Sequence, residues 1–374
     1  MTRPAAVVLA AGLSSRMARF KPLLPLGERT VLSHCLRCLN ANRVEPVIVV
    51  TGKRGGEVDA AARLAGAEPV RNAEYEQGMF SSVRTGVAAL PEEAEAFFVL
   101  PVDIPLVRAE TVARLVESYG RARPAVLYPR FRGERGHPPL LDRSLIPDIL
   151  AHDGEGGLRR VLERREADAM DLDVADFGTV HDLDTPEDYE LARALVDLDY
   201  PLEPECEQLY EMFAVPSEVV AHCRAVARVA GALCDRLNLR PGAHPLNPAK
   251  IRGAALTHDI GKGGRHHEKV GAQRLKESGF PFAAEVALEH FDMALPPDRP
   301  VNEKAVVFLA DKLVKGESFI PLADRYREKL RLFGHEPEAR RAIAGRLERA
   351  EAMLARFGLE LGAPAEDVAR EALA

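Results

Sequence analysis

The stretch that most constrains this chain is Leu9 to Lys21, L-A-A-G-L-S-S-R-M-A-R-F-K. An apolar run, Ala5 to Val8, precedes it, and an amphipathic segment from Thr30 to Leu39 follows. That order predicts strand, glycine-bearing loop and helix, the setting in which a loop holds phosphate groups. Ala10, Ala11, Gly12, Ser14 and Ser15 are small enough for backbone N–H groups to approach an anion closely. Arg16 adds a forked cation and Lys21 a point charge. The spacing is neither G-x-G-x-x-G nor G-x-x-x-x-G-K-[ST], so the loop indicates neither a dinucleotide fold nor a P-loop NTPase.

Strand-like and helix-like segments then alternate, as in a three-layer α/β domain: Val44 to Gly52, Glu57 to Ala65, Glu68 to Asn72, and Ala96 to Val102. Within Val70 to Gly86, Gly78 ends a turn and Ser81 or Ser82 is placed to cap the helix running to Leu90. Asp103 stands at the carboxyl end of a buried strand, where open α/β sheets bind ligands, and Pro105 fixes the turn behind it. In V-H-D-L-D-T-P-E-D-Y, Thr185 to Asp188 form a helix start, which leaves Asp182 and Asp184 unaccounted for. His137, in G-H-P-P-L-L, reads equally as a ligand contact or an exposed loop residue.

These strings, in this order from Ala5 to about Leu198, resemble the molybdenum cofactor nucleotidyltransferases, most closely the cytidylyltransferase branch. The first loop matches L-A-A-G-x-S-x-R-M-G-x-x-K, with Ala18 where the family has Gly. The resemblance implies a Rossmann-like nucleotidyltransferase domain over residues 1–198. It implies transfer of CMP from CTP to molybdopterin or the molybdenum cofactor with release of pyrophosphate. The triphosphate would lie on Ala10, Ala11, Gly12, Ser14 and Ser15, with Arg16, Lys21 and Asp103 as catalytic residues. Asn72, Gly78, Ser81 and Ser82 would contact nucleotide, and Asp103 with Asp182 or Asp184 would hold Mg²⁺. The A-A-G start, rather than A-G-G, favours cytidine by resemblance; the rival is GTP or another acceptor. A molybdoenzyme or its maturation chaperone is the protein partner such an activity suggests.

At 374 residues the chain exceeds the usual size of a single core, so two domains are expected. The acidic stretch Asp197 to Glu207, interrupted by two prolines, reads as a linker, bounded at 199–206. Beyond it strands disappear. Ser217–Leu237, Pro248–His258, His267–Glu277, Phe282–His290, Glu303–Lys315 and Glu338–Phe357 all have helical spacing. The domain 207–374 is therefore expected to be all-α.

Its His222, His258, Asp259, His267, His290 and Asp311 lie on several of these helices and are the ligand types a divalent transition metal requires. In order they resemble the H…HD…D signature of the HD superfamily of metal-dependent phosphohydrolases, with two further histidines for a second metal. The resemblance implies one or two ions such as Mn or Fe. His222, His258, Asp259 and Asp311 would bind the first, and Asp259 would bridge to a second held by His267 and His290. Lys262, in H-D-I-G-K, would face substrate phosphate as a catalytic residue. Hydrolysis of a phosphate ester and a non-catalytic sensing role both fit the sequence, the filled ligand set favouring hydrolysis.

A formal net charge of -7 argues against a nucleic-acid scaffold, and the longest apolar stretch, Ala5 to Ala11, is too short to span a bilayer. The expectation is a cytoplasmic enzyme. Cys35 and Cys38 form a lone C-x-x-C on a predicted helix, which reads as reduced, buried thiols.

Overall fold

The computed structural model describes residues 3–12, 19–240, 244–296 and 298–374, so Ser14, Ser15 and Arg16 lie outside the described residues. The chain divides into two compact units, Met1–Leu198 and Asp199–Ala374.

The first unit is organised by a sheet of β1 (Ala5–Leu9), β4 (Val47–Thr51), β5 (Glu68–Arg71), β6 (Ala96–Pro101), β7 (Val126–Phe131), β8 (Glu134–Arg135), β9 (Leu140–Asp142) and β10 (Ala169–Asp173), with a small hairpin of β2 (Pro25–Leu26) and β3 (Arg29–Thr30) beside it. The order is β10-β7-β9-β6-β1-β4-β5, with β8 paired to β7. β9 runs antiparallel to β6 and β7, and the pairs β1–β4, β1–β6, β4–β5 and β7–β10 are parallel.

Every residue of β1, β4 and β6 is buried, as strands covered on both faces must be. Strand alternation sends Ala6 and Val8 to one core with Phe98 and Leu100. Val7 and Leu9 go to the other with Phe97 and Val99. Helices α1 (Val31–Asn40), α2 (Gly55–Leu64) and α4 (Ala109–Ala122) cover the first face; α3 (Met79–Ala88), α5 (Ile146–Ala151) and α6 (Gly157–Glu163) cover the second. α7 (Pro186–Leu195) closes the unit, started by a Thr185–Asp188 capping box. This is the expected three-layer α/β arrangement.

β1 lies between β4 and β6, so the chain leaves it toward one side of the sheet and returns on the other. That is the switch point of an open sheet, and a crevice forms beyond the carboxyl ends of the strands there. Leu9 is in register with Pro101, and the Val102 N–H donates to the Leu9 carbonyl at 3.2 Å. The Ala10–Gly12 loop and Asp103 therefore leave the sheet side by side.

The second unit is helical: α8 (Glu203–Met212), α9 (Ser217–Asn238), α10 (Pro248–Thr257), α11 (His267–Glu277), α12 (Pro281–Glu289), α13 (Glu303–Lys312), α14 (Leu322–Phe333), α15 (Pro337–Leu361) and α16 (Ala365–Leu373). Its core gathers Val226, Leu233, Ile251, Val306, Phe308 and Phe357.

Three local expectations give way. The stretch read as a linker carries α8, because Pro204 sits in the first turn, where a missing N–H is tolerated, and Glu205 accepts from the Leu202 N–H at 2.8 Å. The helix expected to reach Lys315 stops at Lys312; β11 (Val314–Lys315) and β12 (Ser318–Phe319) then pair around Gly316, whose φ of +59° suits a tight turn. Finally, α3 begins at Met79 behind Gly78, so Ser81 and Ser82 lie inside its first turn and are not its N-cap. None of the helices formed by the described residues is long and apolar enough to cross a membrane.

Candidate active site and metal centre

In the first unit Lys21 opens a short turn, Lys21–Leu23, that Pro22 holds, and its side chain is pulled inward to 10% exposure. Its Nζ lies 3.0 Å from Asp184 Oδ1 and 3.4 Å from Asp103 Oδ2. The Leu183 N–H donates to the Asp103 carbonyl at 2.8 Å, which ties the Asp182–Asp184 segment to the end of β6. Leu183 is buried, Asp182 is exposed and Asp184 is half-buried. Of the two carboxylates, Asp184 is the one that meets Lys21.

A cavity of about 300 Å³ opens here, and Ala11, Gly12, Lys21, Gly78, Ser82 and Asp103 line it. Ala10, Asn72 and Ser81 lie outside its lining. Asn72 is buried, and its Nδ2 donates to Ser81 Oγ at 2.8 Å and Ser82 Oγ at 3.0 Å, while its Oδ1 accepts from the Glu74 N–H at 2.9 Å. These residues shape the turn before Gly78 by satisfying one another. Tyr75 and Met79 also line the cavity, at positions where the motif is variable. His137 lies in the loop before β9; burial lowers its pKa against the pull of the Asp103 and Asp182 carboxylates, and its Nδ1 has no hydrogen-bond partner.

The second unit brings its histidines and aspartates to one centre. His222 comes from α9, His258 and Asp259 from the end of α10, His267 from the start of α11, His290 from the end of α12 and Asp311 from α13. Backbone carbonyls orient three of the rings: Nδ1 of His222 meets Gly316 O at 3.0 Å, that of His258 Ala255 O at 2.8 Å, and that of His290 Ala287 O at 2.6 Å. Each Nε2 is thereby turned inward, the arrangement that metal-binding imidazoles use. The Gly316 contact exists only because the β11–β12 turn replaces the expected end of α13.

Asp259 lies between two ligand sets. Its Oδ2 is 3.9 Å from Nε2 of both His222 and His258; its Oδ1 is 3.5 Å from His290 Nε2 and 3.7 Å from His267 Nε2. His222, His258 and Asp259 form one group able to hold an ion, and Asp259, His267 and His290 a second. Asp311 Oδ1 stands 3.3 Å from His222 Nε2 and 3.8 Å from His258 Nε2. Buried His258 Nε2 and Asp259 Oδ1 have no hydrogen-bond partner, a costly condition that a coordinated cation would relieve. The donors therefore fit one or two divalent transition ions.

Burial would raise the pKa of Asp311, but Lys312 and Arg325 outweigh it and hold the carboxyl well below its usual range, ready to ligate. Lys312 Nζ is 2.6 Å from Asp311 Oδ2 and donates to the His290 carbonyl. Lys262 Nζ sits 2.5 Å from Asp259 Oδ2. Lys312 and Arg325 were not among the expected site residues. The D-K pair is a faint signal for the first, and Arg325 lies on α14, whose sequence carries little apolar periodicity.

The chain matches the MobA-like NTP transferase domain over residues 6–169 and the HD domain over residues 219–316. It is 26% identical over 189 residues to the molybdenum cofactor cytidylyltransferase of Escherichia coli (strain K12), covering 50% of this chain and 94% of that one. It is 32% identical over 189 residues to nicotine blue oxidoreductase of Paenarthrobacter nicotinovorans, covering 48% and 92%. Among solved structures, Rv0371c from Mycobacterium tuberculosis H37Rv is 27% identical, with 52% of this chain and 98% of that chain covered and a TM-score of 0.47.

Proposed function

The chain belongs to the MobA-like NTP transferase family, with an HD domain fused behind that unit, and from this premise we propose a molybdenum cofactor cytidylyltransferase joined to a metal-dependent phosphohydrolase. The observation that carries the first half is Lys21, a buried ammonium bracketed by Asp103 and Asp184 at the switch point of the sheet. Two carboxylates offer the hard oxygen donors that suit Mg²⁺. When bound, that ion neutralises charge on the phosphates. A phosphate oxygen of molybdopterin attacks the α-phosphorus of CTP, and the bond to pyrophosphate breaks. Ala11 and Gly12 leave room for the triphosphate, and Lys21 meets charge that grows on the leaving group. The described cavity lining holds no His or Cys nucleophile, which favours direct displacement without a covalent intermediate.

Similarity to the Escherichia coli cytidylyltransferase over most of that protein supports cytidine and a molybdopterin acceptor. The test is incubation of the full chain with Mg²⁺, molybdopterin and either CTP or GTP. Formation of the cytosine dinucleotide is expected, and a preference for GTP would overturn this specificity.

The second unit hydrolyses a phosphate ester. Asp259, shared by two imidazole sets and left with an unpartnered buried oxygen, carries this reading. Two ions bound there would supply an activated water and neutralise a phosphoryl oxygen. The imidazoles are held ready by backbone carbonyls, Asp311 is held ionised, and Lys262 brings positive charge to the edge of the centre. Metal analysis and phosphatase assays with Mn²⁺ test it, with His258→Ala expected to lose both metal and turnover. Metal-free protein, inactive over added ions, would favour a sensing role.

A further inference from the structure

Beside His222 and Lys262 the metal centre opens into a cavity of about 470 Å³, bounded by Lys315 and by Arg325, Lys329 and Phe333 of α14. α14 lies beyond residues 219–316, so the HD match says nothing about it. Arg325, Lys329 and Phe333 are spaced by four and share one helix face.

Their side chains differ in what already occupies them. Arg325 is committed to the centre, with Nη2 3.3 Å from Asp311 Oδ1 and Nη1 on the Val314 carbonyl. Lys315 is paired with Glu328 at 2.6 Å. Lys329 has no carboxylate within ion-pair distance among the described residues. Its ammonium sits 5.2 Å from the centre of the Tyr326 ring. Burial, then Arg325 and Lys312, bring its pKa down to about 8, the mark of a cation short of counter-charge. One turn further on, Phe333 is 57% exposed and Leu332 52%, an apolar lip on a cavity where Lys262, Lys315, Arg325 and Lys329 outnumber the carboxylates Glu218 and Glu328.

We propose that this face of α14 is the substrate-selecting wall of the HD site. Lys329 receives an anionic oxygen of a phosphate monoester, and Phe333 receives a planar aromatic group joined to that phosphate. Four residues of helix separate the two by about 6 Å along the axis, a span suited to a phosphate and a ring connected by a short link. The expected ligand is thus an aryl or heteroaryl phosphate, in preference to inorganic phosphate or an alkyl ester. The assignment rests on the phosphohydrolase reading for the reaction, but its binding consequences can be measured separately.

The probes are phenylphosphonate and methylphosphonate, which cannot be hydrolysed, titrated calorimetrically into the full chain in Mn²⁺. Phenylphosphonate should bind about tenfold more tightly than methylphosphonate. Phe333→Ala should erase that preference and leave methylphosphonate unchanged. Lys329→Gln should weaken both by about tenfold, and Lys329→Arg should restore them. Equal affinities in the parent chain, or unchanged affinities in the variants, would overturn the proposal. So would binding that Lys21→Met removes and Lys329→Gln does not. Turnover of p-nitrophenyl phosphate is followed in parallel. Altered phosphonate binding without turnover would support the wall and remove the hydrolase reading; turnover with affinities indifferent to both substitutions would do the reverse.

Discussion

Lys21 is held between Asp103 and Asp184 before any substrate arrives, so the charge that a triphosphate needs is already aimed and partly desolvated. Lys21→Met keeps most of the aliphatic stem and deletes the ammonium. Nucleotidyl transfer should fall by about 10²–10³-fold, while the unfolding free energy falls by no more than about 2 kcal/mol. A larger loss in urea titration would make Lys21 a structural cation. Asp176 is the contrasting case. Only 1% exposed, it accepts from the Arg108 N–H at 2.9 Å, Thr111 Oγ1 at 2.6 Å, the Gly178 N–H at 3.1 Å and Arg108 Nη1 at 3.1 Å. It thereby fastens the segment after β10 to the start of α4. Asp176→Ala would remove the carboxylate that pairs with the half-buried Arg108 guanidinium and accepts from two backbone N–H groups, and the first unit should lose about 3–5 kcal/mol in urea unfolding. Nothing in V-A-D-F-G marks that aspartate as different from a surface one, because Arg108 and Thr111, which bury and bind it, are 65 to 68 residues away in sequence.

At the scale of elements, the glycine of H-D-I-G-K is a matter of distance between two of them. A Cβ on Gly261 would stand 2.1 Å from the His267 carbonyl and 2.4 Å from the Gly271 nitrogen. Any side chain must therefore push α11 away from the end of α10, and His267 travels with α11. Gly261→Ala should lower the metal content of the full chain from two ions to one by mass spectrometry, with His222, His258 and Asp311 left in place. Retention of two ions would show that α11 adjusts without moving its ligand. Such elements are legible in the sequence where burial is continuous or periodic: the solid apolar runs of β1, β4 and β6, the helical spacing of α9 to α13, and the histidines they carry. It misled where one residue type serves opposite ends of an element. Pro204 read as a breaker and instead begins α8. α14 is illegible in the sequence because it buries only Leu322 and Tyr326 among many charges, too little apolar periodicity to stand out. Asn72 and Ser81 read as nucleotide contacts, but their polar atoms are satisfied by each other and by the adjacent backbone.

For the whole molecule, the consequence is two cores with separate chemistry. The sheet packs one set of side chains on each face, and the helical unit packs another around Val226, Val306 and Phe308. The imidazole ligands and Asp259 all belong to the second unit, Lys21, Asp103 and Asp184 all to the first. A ligand that binds only the folded form stabilises the unit that holds it, by about 2.7 kcal/mol at a free concentration one hundred times its Kd. Calorimetry of the full chain should accordingly show two transitions, of which Mn²⁺ raises one and CTP with Mg²⁺ raises the other. Asp259→Asn, which removes a ligating charge common to both imidazole sets, should abolish the Mn²⁺ shift and leave the nucleotide shift intact. Asp103→Asn should do the opposite. A single transition that Mn²⁺ moves as a whole would mean instead that the two cores unfold as one cooperative body, and that an ion bound among the histidines stabilises the nucleotide cavity as well.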